Sequence, residues 1–266
     1  MEKLHKKTFL FQCQVAFKFN DSQIKNIGEI IDYWNDYSNM IPEQLASYLA
    51  QVKVESANTF GVIREFGPRK YFKYLIGKLG IRNLDEAYRY RGWGSMQTTG
   101  RHNFRMIERV LEEKVIVINL EQFINDKNRD KQYERKLDLI TTFYCFENGK
   151  WTGKKISDYV TKENQNYAHA RRVVNPGQYN LWSEYVNGKR GKNRKKHYQH
   201  LQEIIKNSIA FEKLLKLNII PMLKFDPQKI EDIIIALKKN NINADEDDIN
   251  RIIEILEQEK ILVEEK

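Results

Sequence analysis

The sequence predicts a mostly α protein. Apolar residues recur at helical spacing in three separate stretches, around residues 24–34, 201–215 and 230–256. No internal repeat and no low-complexity segment interrupts them. A chain of 266 residues is long enough for one large domain, or a domain with an appendage, and for a sizeable core. Its 41% hydrophobic and 30% charged composition, with only five prolines, argues for a folded chain over a disordered one.

The first residues, MEKLHKKTFLFQCQVAF, are basic and then mixed. Gln12, Gln14 and Lys18 break the apolar stretch and no small-residue cleavage site follows, so no secretory signal is expected. No run reaches the 18 or so apolar residues that crossing a bilayer requires. Asp21 or Ser22 is the predicted N-cap of a helix with Ile24, Ile27, Ile30, Ile31 and Trp34 on one face. Pro42 opens a second helix, where its missing N–H is harmless, with the stripe Leu45, Tyr48, Leu49 and Val52 ending near Glu55. Gly67-Pro68 signals a turn, and a short helix is expected over 71–79. Residues 91–100 hold three glycines and no helical period, which reads as loop or short strand. Residues 101–125 read as helix with a break near Val115, 126–136 as a solvated charged stretch, and 137–146 as a buried helix. Segments 154–160 and 167–174 read as helical before a turn at Asn175-Pro176-Gly177. Residues 187–196 read as an exposed loop, and Leu201 to Leu215 as a long amphipathic helix.

The last forty residues form a separate predicted unit, a helical hairpin with stripes at Ile230, Ile233, Ile234 and Leu237 and at Ile249, Ile252, Ile253 and Leu256. The expected organisation is therefore a body over 1–225 and a hairpin over 226–266 that must pack on the body or on a partner. Charge divides the same way. Residues 227–266 carry 6 Lys/Arg against 11 Asp/Glu, which leaves the other 226 residues with 39 basic against 25 acidic side chains. A basic body fits an anionic surrounding, whether nucleic acid, a membrane surface or a wall polymer.

Several chemistries are excluded or weakened. Two cysteines, Cys13 and Cys145, make no disulfide framework. Five scattered histidines give no metal-ligand spacing, and His197 and His200, beside a Lys/Arg run, read as solvated, so no metal or other cofactor is expected. Gly92-Trp93-Gly94 is too short for a dinucleotide fingerprint and there is no P-loop. No recognised nucleic-acid-binding motif accompanies the basic charge, so nucleic acid is not the expected partner.

Two carboxylates carry more information. Glu55 stands where a helix with an apolar face ends, and partly apolar surroundings disfavour the charged form, as suits a general acid. Glu65 follows beside Arg64, a neighbour that favours the ionised form, as a base requires. Carboxylates in unlike environments are the pattern of glycoside hydrolysis; two surface charges are the plain alternative.

Longer segments narrow the choice. VKVESANTFGVIREFG (52–67), YRYRGWGSMQTTGRHNF (88–104), AHARRVVNPG (168–177) and the helix ending Ala210-Phe211-Glu212-Lys213-Leu214-Leu215 resemble, in this order, the motifs of family-19 glycoside hydrolases. Within that chitinase group of the lysozyme-like superfamily, the likeness leans to the short phage and bacterial lysozyme-type members. QIKNIGEIIDYW (23–34) is similar to the family's N-terminal helix, so the resemblance spans roughly 20–218. It implies a helical lysozyme-like domain with a central cleft. Glu55 falls on the family's general acid and Glu65 on its general base. Gln97, Thr99 and Asn103 fall on residues that hold the nucleophilic water and the N-acetyl sugar, Asn175 on a cleft asparagine, and Arg171 on a structural arginine near the base. Val54, Trp93, Thr98 and Phe104 depart from the motifs, and Trp93 suggests either an aromatic platform for a sugar or a packed tryptophan.

The resemblance implies an inverting hydrolase of β-1,4 bonds, with peptidoglycan the expected substrate and chitin the alternative. A degenerate relative serving as a virion or wall-binding structural protein is the other reading. The expected setting is synthesis in a host cytoplasm and action at a bacterial wall, as an endolysin or as a virion component, with the hairpin free to dock a virion or wall partner.

Overall fold

The computed structural model describes residues 4–218, and among them the chain is helical, with isolated β-bridges in place of strands. The predicted C-terminal hairpin lies outside the described residues. None of the described helices is long and apolar enough to cross a membrane. The chain divides into two compact units, which among the described residues comprise 4–38 with 209–218, and 39–208.

The smaller unit holds α1 (Lys6–Phe17) and α2 (Asp21–Tyr37). Buried Phe9, Gln12 and Cys13 define the inner face of α1, a helix whose scattered Lys and Gln residues hide its period in the sequence. The cap of α2 is Asn20, one residue before the predicted position. Its Oδ1 accepts from Gln23 N at 3.0 Å while Asn20 N donates to Gln23 Oε1 at 2.8 Å, a reciprocal box that satisfies two orphan donors. Ile27, Ile30, Ile31 and Trp34 are buried as their spacing predicts.

The larger unit is built around α3 (Pro42–Glu55), in which every residue from Glu43 to Val52 is buried. Several of its buried polar groups find partners across the unit, as buried polar groups generally do. Tyr48 Oη and Thr142 Oγ1 lie 2.7 Å apart and Gln44 Nε2 donates to Val160 O at 2.8 Å. A one-sided 3-10 helix follows at Arg69–Leu75, where an ordinary helix over 71–79 was predicted. It sets Phe72 and Leu75 against Ile81 and against Ala87 of α4 (Leu84–Arg89).

Next come α5 (Arg101–Glu112), α6 (Leu120–Asn125) and α7 (Lys131–Asn148). The break expected near Val115 lies between α5 and α6, with Val115 itself at φ 62°. Phe104, Ile107, Leu111, Leu120, Ile124 and Leu137 from these helices enclose Trp93. Helix α7 begins inside the stretch read as solvated. Glu134 and Arg135 are buried there because each has partners: Glu134 accepts from Trp93 Nε1 at 2.9 Å, and Arg135 Nη1 donates to the buried Asp138 at 3.1 Å.

The chain continues through a 3-10 turn at Ile156–Asp158, α8 (Tyr167–Ala170), a second 3-10 turn at Arg171–Val173, and α9 (Pro176–Val186). The predicted turn at 175–177 is instead the start of α9. Asn175 Oδ1 caps Gln178 N at 3.0 Å and Pro176 takes the first helical position. The last described element, α10 (Lys192–Asn218), starts within the predicted loop and contributes residues 192–208 to the larger unit.

Candidate active site

Glu55 is the last residue of α3, at the helix end whose unpaired carbonyls are least hospitable to a carboxylate. Arg171 offsets that. Its guanidinium, 1% exposed, donates from Nη2 to Glu55 Oε1, and the Glu55 side chain is 18% exposed. Arg171 Nη1 donates to Gln51 Oε1 at 3.2 Å, and its Nε donates to Gln178 Oε1. Gln51 and Glu55 are four residues apart on α3, so their side chains share a face and grip one guanidinium. Gln178 carries the chain of contacts onward, its Nε2 lying 2.8 Å from His200 Nδ1 and 3.3 Å from His197 Nδ1. Both histidines are half-buried, where the sequence suggested solvated side chains. Burial, with the Arg171 charge adding to it, pushes His200 below its ordinary value; burial, then Lys196 and Arg171, does the same to His197. Neutral rings present Nδ1 as an acceptor to the Gln178 amide. The resemblance put Arg171 near the base. Its carboxylate partner is the candidate acid Glu55 instead.

After α3 the chain turns sharply, with Ala57, Asn58 and Phe60 in the left-handed region. Ser56 Oγ accepts from Phe60 N at 2.8 Å and fixes that turn. The chain then reaches Glu65 through a short bridged segment. Gly94 N donates to Ile63 O at 3.0 Å and Glu65 N to Gly92 O at 2.8 Å, so residues 63–65 lie antiparallel to 92–94. A second bridge between Trp93 and Thr98 folds 92–98 back on itself. Alternation across the first pair sends Trp93 inward and Glu65 the other way. Trp93 is therefore a core residue, 1% exposed, and is not available to stack on a sugar. Its indole N–H is held by Glu134.

Glu65 is half-buried. Tyr74 donates its hydroxyl to Oε1 at 3.3 Å, and Gly92 N donates to Oε2 at 3.2 Å. Arg64 does not pair with it. The Arg64 guanidinium donates to the carbonyls of Arg89 and Arg91 and to Asn125, because neighbouring side chains on an extended segment point apart. Part-burial and then the Glu65 charge push Tyr74 up to about 12, so its phenol is a donor at neutral pH.

Gln97 stands beside Glu65. A Cβ on Gly92 would lie 2.4 Å from Gln97 Oε1 and 3.2 Å from Glu65 Cβ, so only glycine lets the two side chains approach this closely. Gln97 has φ 52°, and its Nε2 donates to Gly94 O at 3.0 Å and Ile63 O at 3.3 Å. Two carbonyls facing Nε2 turn the amide oxygen toward Gly92. Asp138, fully buried and raised from its ordinary value by that burial, accepts from Ser95 N at 2.8 Å and pins the loop from beneath. Thr99 Oγ1 donates to Gln97 O at 3.0 Å, and Asn103 Nδ2 to Thr99 O at 2.8 Å.

The predicted site residues thus fall into two groups. Glu65, Gln97, Thr99 and Asn103 are joined through the loop 92–100 and the start of α5. Glu55, Arg171 and, through Gln178, the cap Asn175 form the other. Sequence reading missed Gln51, Tyr74 and Gln178. Gln51 was legible as the i−4 neighbour of Glu55; Tyr74 and Gln178 carry no local signal. Among the described residues no three His, Cys, Asp or Glu side chains converge as metal ligands. No family model, no curated protein and no solved structure matches this chain.

Proposed function

We propose that this chain hydrolyses β-1,4 bonds in peptidoglycan by an inverting acid–base mechanism, with Glu55 as the acid and Glu65 as the base. The observation that carries the reading is the contrast between the two carboxylates. Glu55 has one oxygen engaged by a buried arginine, and Oε2 has no protein partner among the described residues, so that oxygen alone is left to meet a substrate atom. Glu65 and the amide oxygen of Gln97 both lie against Gly92, and in this reading the two acceptors share a water that gives up a proton.

In this reaction Oε2–H of Glu55 protonates the glycosidic oxygen as its bond to the anomeric carbon breaks. A water attacks that carbon from the opposite face and passes its proton to Glu65, which inverts the configuration. The motifs at 52–67, 88–104 and 168–177 resemble those of family-19 lysozyme-type enzymes, a likeness that puts Glu55 and Glu65 in these two roles. The basic body suits an anionic wall. On this reading the protein is made in a host cytoplasm and acts at the bacterial wall, as an endolysin or as part of a virion.

The Arg171–Glu55 pair favours a second reading, in which the lysozyme-like scaffold binds wall without cutting it, since a guanidinium on the acid also serves a purely structural end. One experiment separates these and the chitinase alternative. The full chain is incubated with purified peptidoglycan and with chitin oligomers, and products are read by mass spectrometry. Muropeptide release that falls at least about 100-fold in Glu55→Gln supports hydrolysis. No release from peptidoglycan sinks it, and cleavage of chitin oligomers alone moves the substrate to chitin.

A further inference from the structure

The 3-10 helix Arg69–Leu75 repeats every three residues, so side chains three apart eclipse one another. That period sorts it into three ridges. Phe72 and Leu75 face the core. Tyr71 and Tyr74 form a second ridge, 56% and 49% exposed, with ring centroids 5.9 Å apart. Lys70 and Lys73 form the third, exposed and without an acidic partner among the described residues. Just before the helix, Phe66 is 98% exposed. So much aromatic surface facing water in one place is uncommon.

The tyrosine ridge is continuous with the candidate site, because the Tyr74 hydroxyl donates to Glu65. We propose that Tyr71 and Tyr74, flanked by Lys70 and Lys73, form a binding subsite for a carboxylate-bearing acetamido-glycan running away from Glu65. The proposal rests on the hydrolase reading for its position along the polymer. Tyrosine rings present apolar faces to the C–H faces of sugar rings while their hydroxyls stay wet. A neutral glycan needs only that ridge. The adjoining lysines add a reason to prefer a strand that carries carboxylates on the substituent of every second sugar, as a peptidoglycan strand does and chitin does not. Tyr74 belongs to both places at once: its ring lies on the ridge and its hydroxyl orients the base.

The test is binding, not turnover. The full chain carrying Glu55→Gln is cosedimented with purified peptidoglycan freed of other anionic polymers, and separately with chitin beads, at low and high salt. Tyr71→Ala in that background should weaken binding to both by about five- to tenfold, and Tyr71→Phe should restore it. Lys70→Ala with Lys73→Ala should weaken binding to peptidoglycan alone and flatten its salt dependence. An unchanged melting temperature, expected for exposed side chains, shows that the variants fold. Peptidoglycan binding that is indifferent to Tyr71 and to the two lysines overturns the subsite, even if the enzyme cuts the wall. Tyr71-dependent binding by a chain that never releases muropeptides would count against the acid–base reading and leave the subsite intact.

Discussion

Glu55 and Glu65 are held by opposite means. Glu55 is locked by side chains: Gln51, Arg171 and Gln178 form a buried polar chain that reaches the histidines of α10. Glu65 is held largely by backbone, through Gly92 N and the bridged segment 63–65, with Arg91 Nε on its carbonyl and Tyr74 the one side-chain donor to its carboxylate among the described residues. Side-chain networks fail when one member is removed, because the others are left buried and unpaired. Backbone-built sites fail when a side chain is added where none fits. The two halves should therefore break under different mutations.

The largest effect on stability is expected at Arg171. Arg171→Ala removes a fully buried cation and orphans Gln51, Gln178 and Glu55 together, at a cost of about 3–5 kcal/mol in denaturant unfolding. A cost below about 1 kcal/mol would mean that the network does not hold Glu55.

Gly92→Ala should do the reverse. Its backbone accepts alanine, and the atom in the way is the far end of Gln97. Stability should fall by less than about 1.5 kcal/mol while hydrolysis drops at least about tenfold, through displacement of Gln97 and Glu65. Gly94→Ala, two residues on, sharpens the contrast. There φ is +88° and the added carbon would meet Asp138 Oδ1 at 2.6 Å, so the loss should appear in folding, at about 1–3 kcal/mol.

The smallest effect is a pH dependence confined to the Glu55 half. His200 and His197 are lowered in the folded chain, so the unfolded chain binds more protons below the ordinary value of about 6.5. Stability should be fully present above that pH and decline as pH falls from there through the lower folded-state values. A melting-temperature series from pH 7.5 to 5 should show a shallower decline in His200→Gln than in the parent. Identical slopes would remove the histidines from the network.

Much of the helical frame was legible because burial imposes a period. Ile27, Ile30, Ile31 and Trp34 on α2 are buried as their spacing says, while on α3 the stripe Leu45, Tyr48, Leu49 and Val52 marks a helix that is buried all round from Glu43 to Val52. Where polar residues are buried the period disappears. Helix α1 hides behind its lysines and the buried Gln12, and the start of α7 behind Glu134 and Arg135; Gln12 and Glu134 are satisfied by distant partners, Arg135 by Asp138 one turn on. Helix α9 was hidden by ambiguity, since Asn-Pro-Gly serves a turn and a helix start equally well. The site shows the same division. Glu55 and Glu65 stand out by motif, but Trp93 was assigned to either surface or core until the bridge to Arg64 turned it inward. Two of the partners of Arg171, Gln51 and Glu55, lie more than a hundred residues away in sequence, and nothing local names them.

The central claim is that Glu55 supplies the proton and Glu65 handles the water, and a change of leaving group tests it directly. Rates of Glu55→Gln and Glu65→Gln are measured on peptidoglycan and on an N-acetylglucosamine oligomer carrying an activated aryl leaving group, which departs without protonation. On peptidoglycan both variants should lose at least about 100-fold. On the aryl substrate most of the Glu55→Gln loss should disappear, while the Glu65→Gln loss should persist, because the water still needs its base. Equal losses on both substrates for Glu55→Gln, or recovery by Glu65→Gln instead, would contradict the assignment.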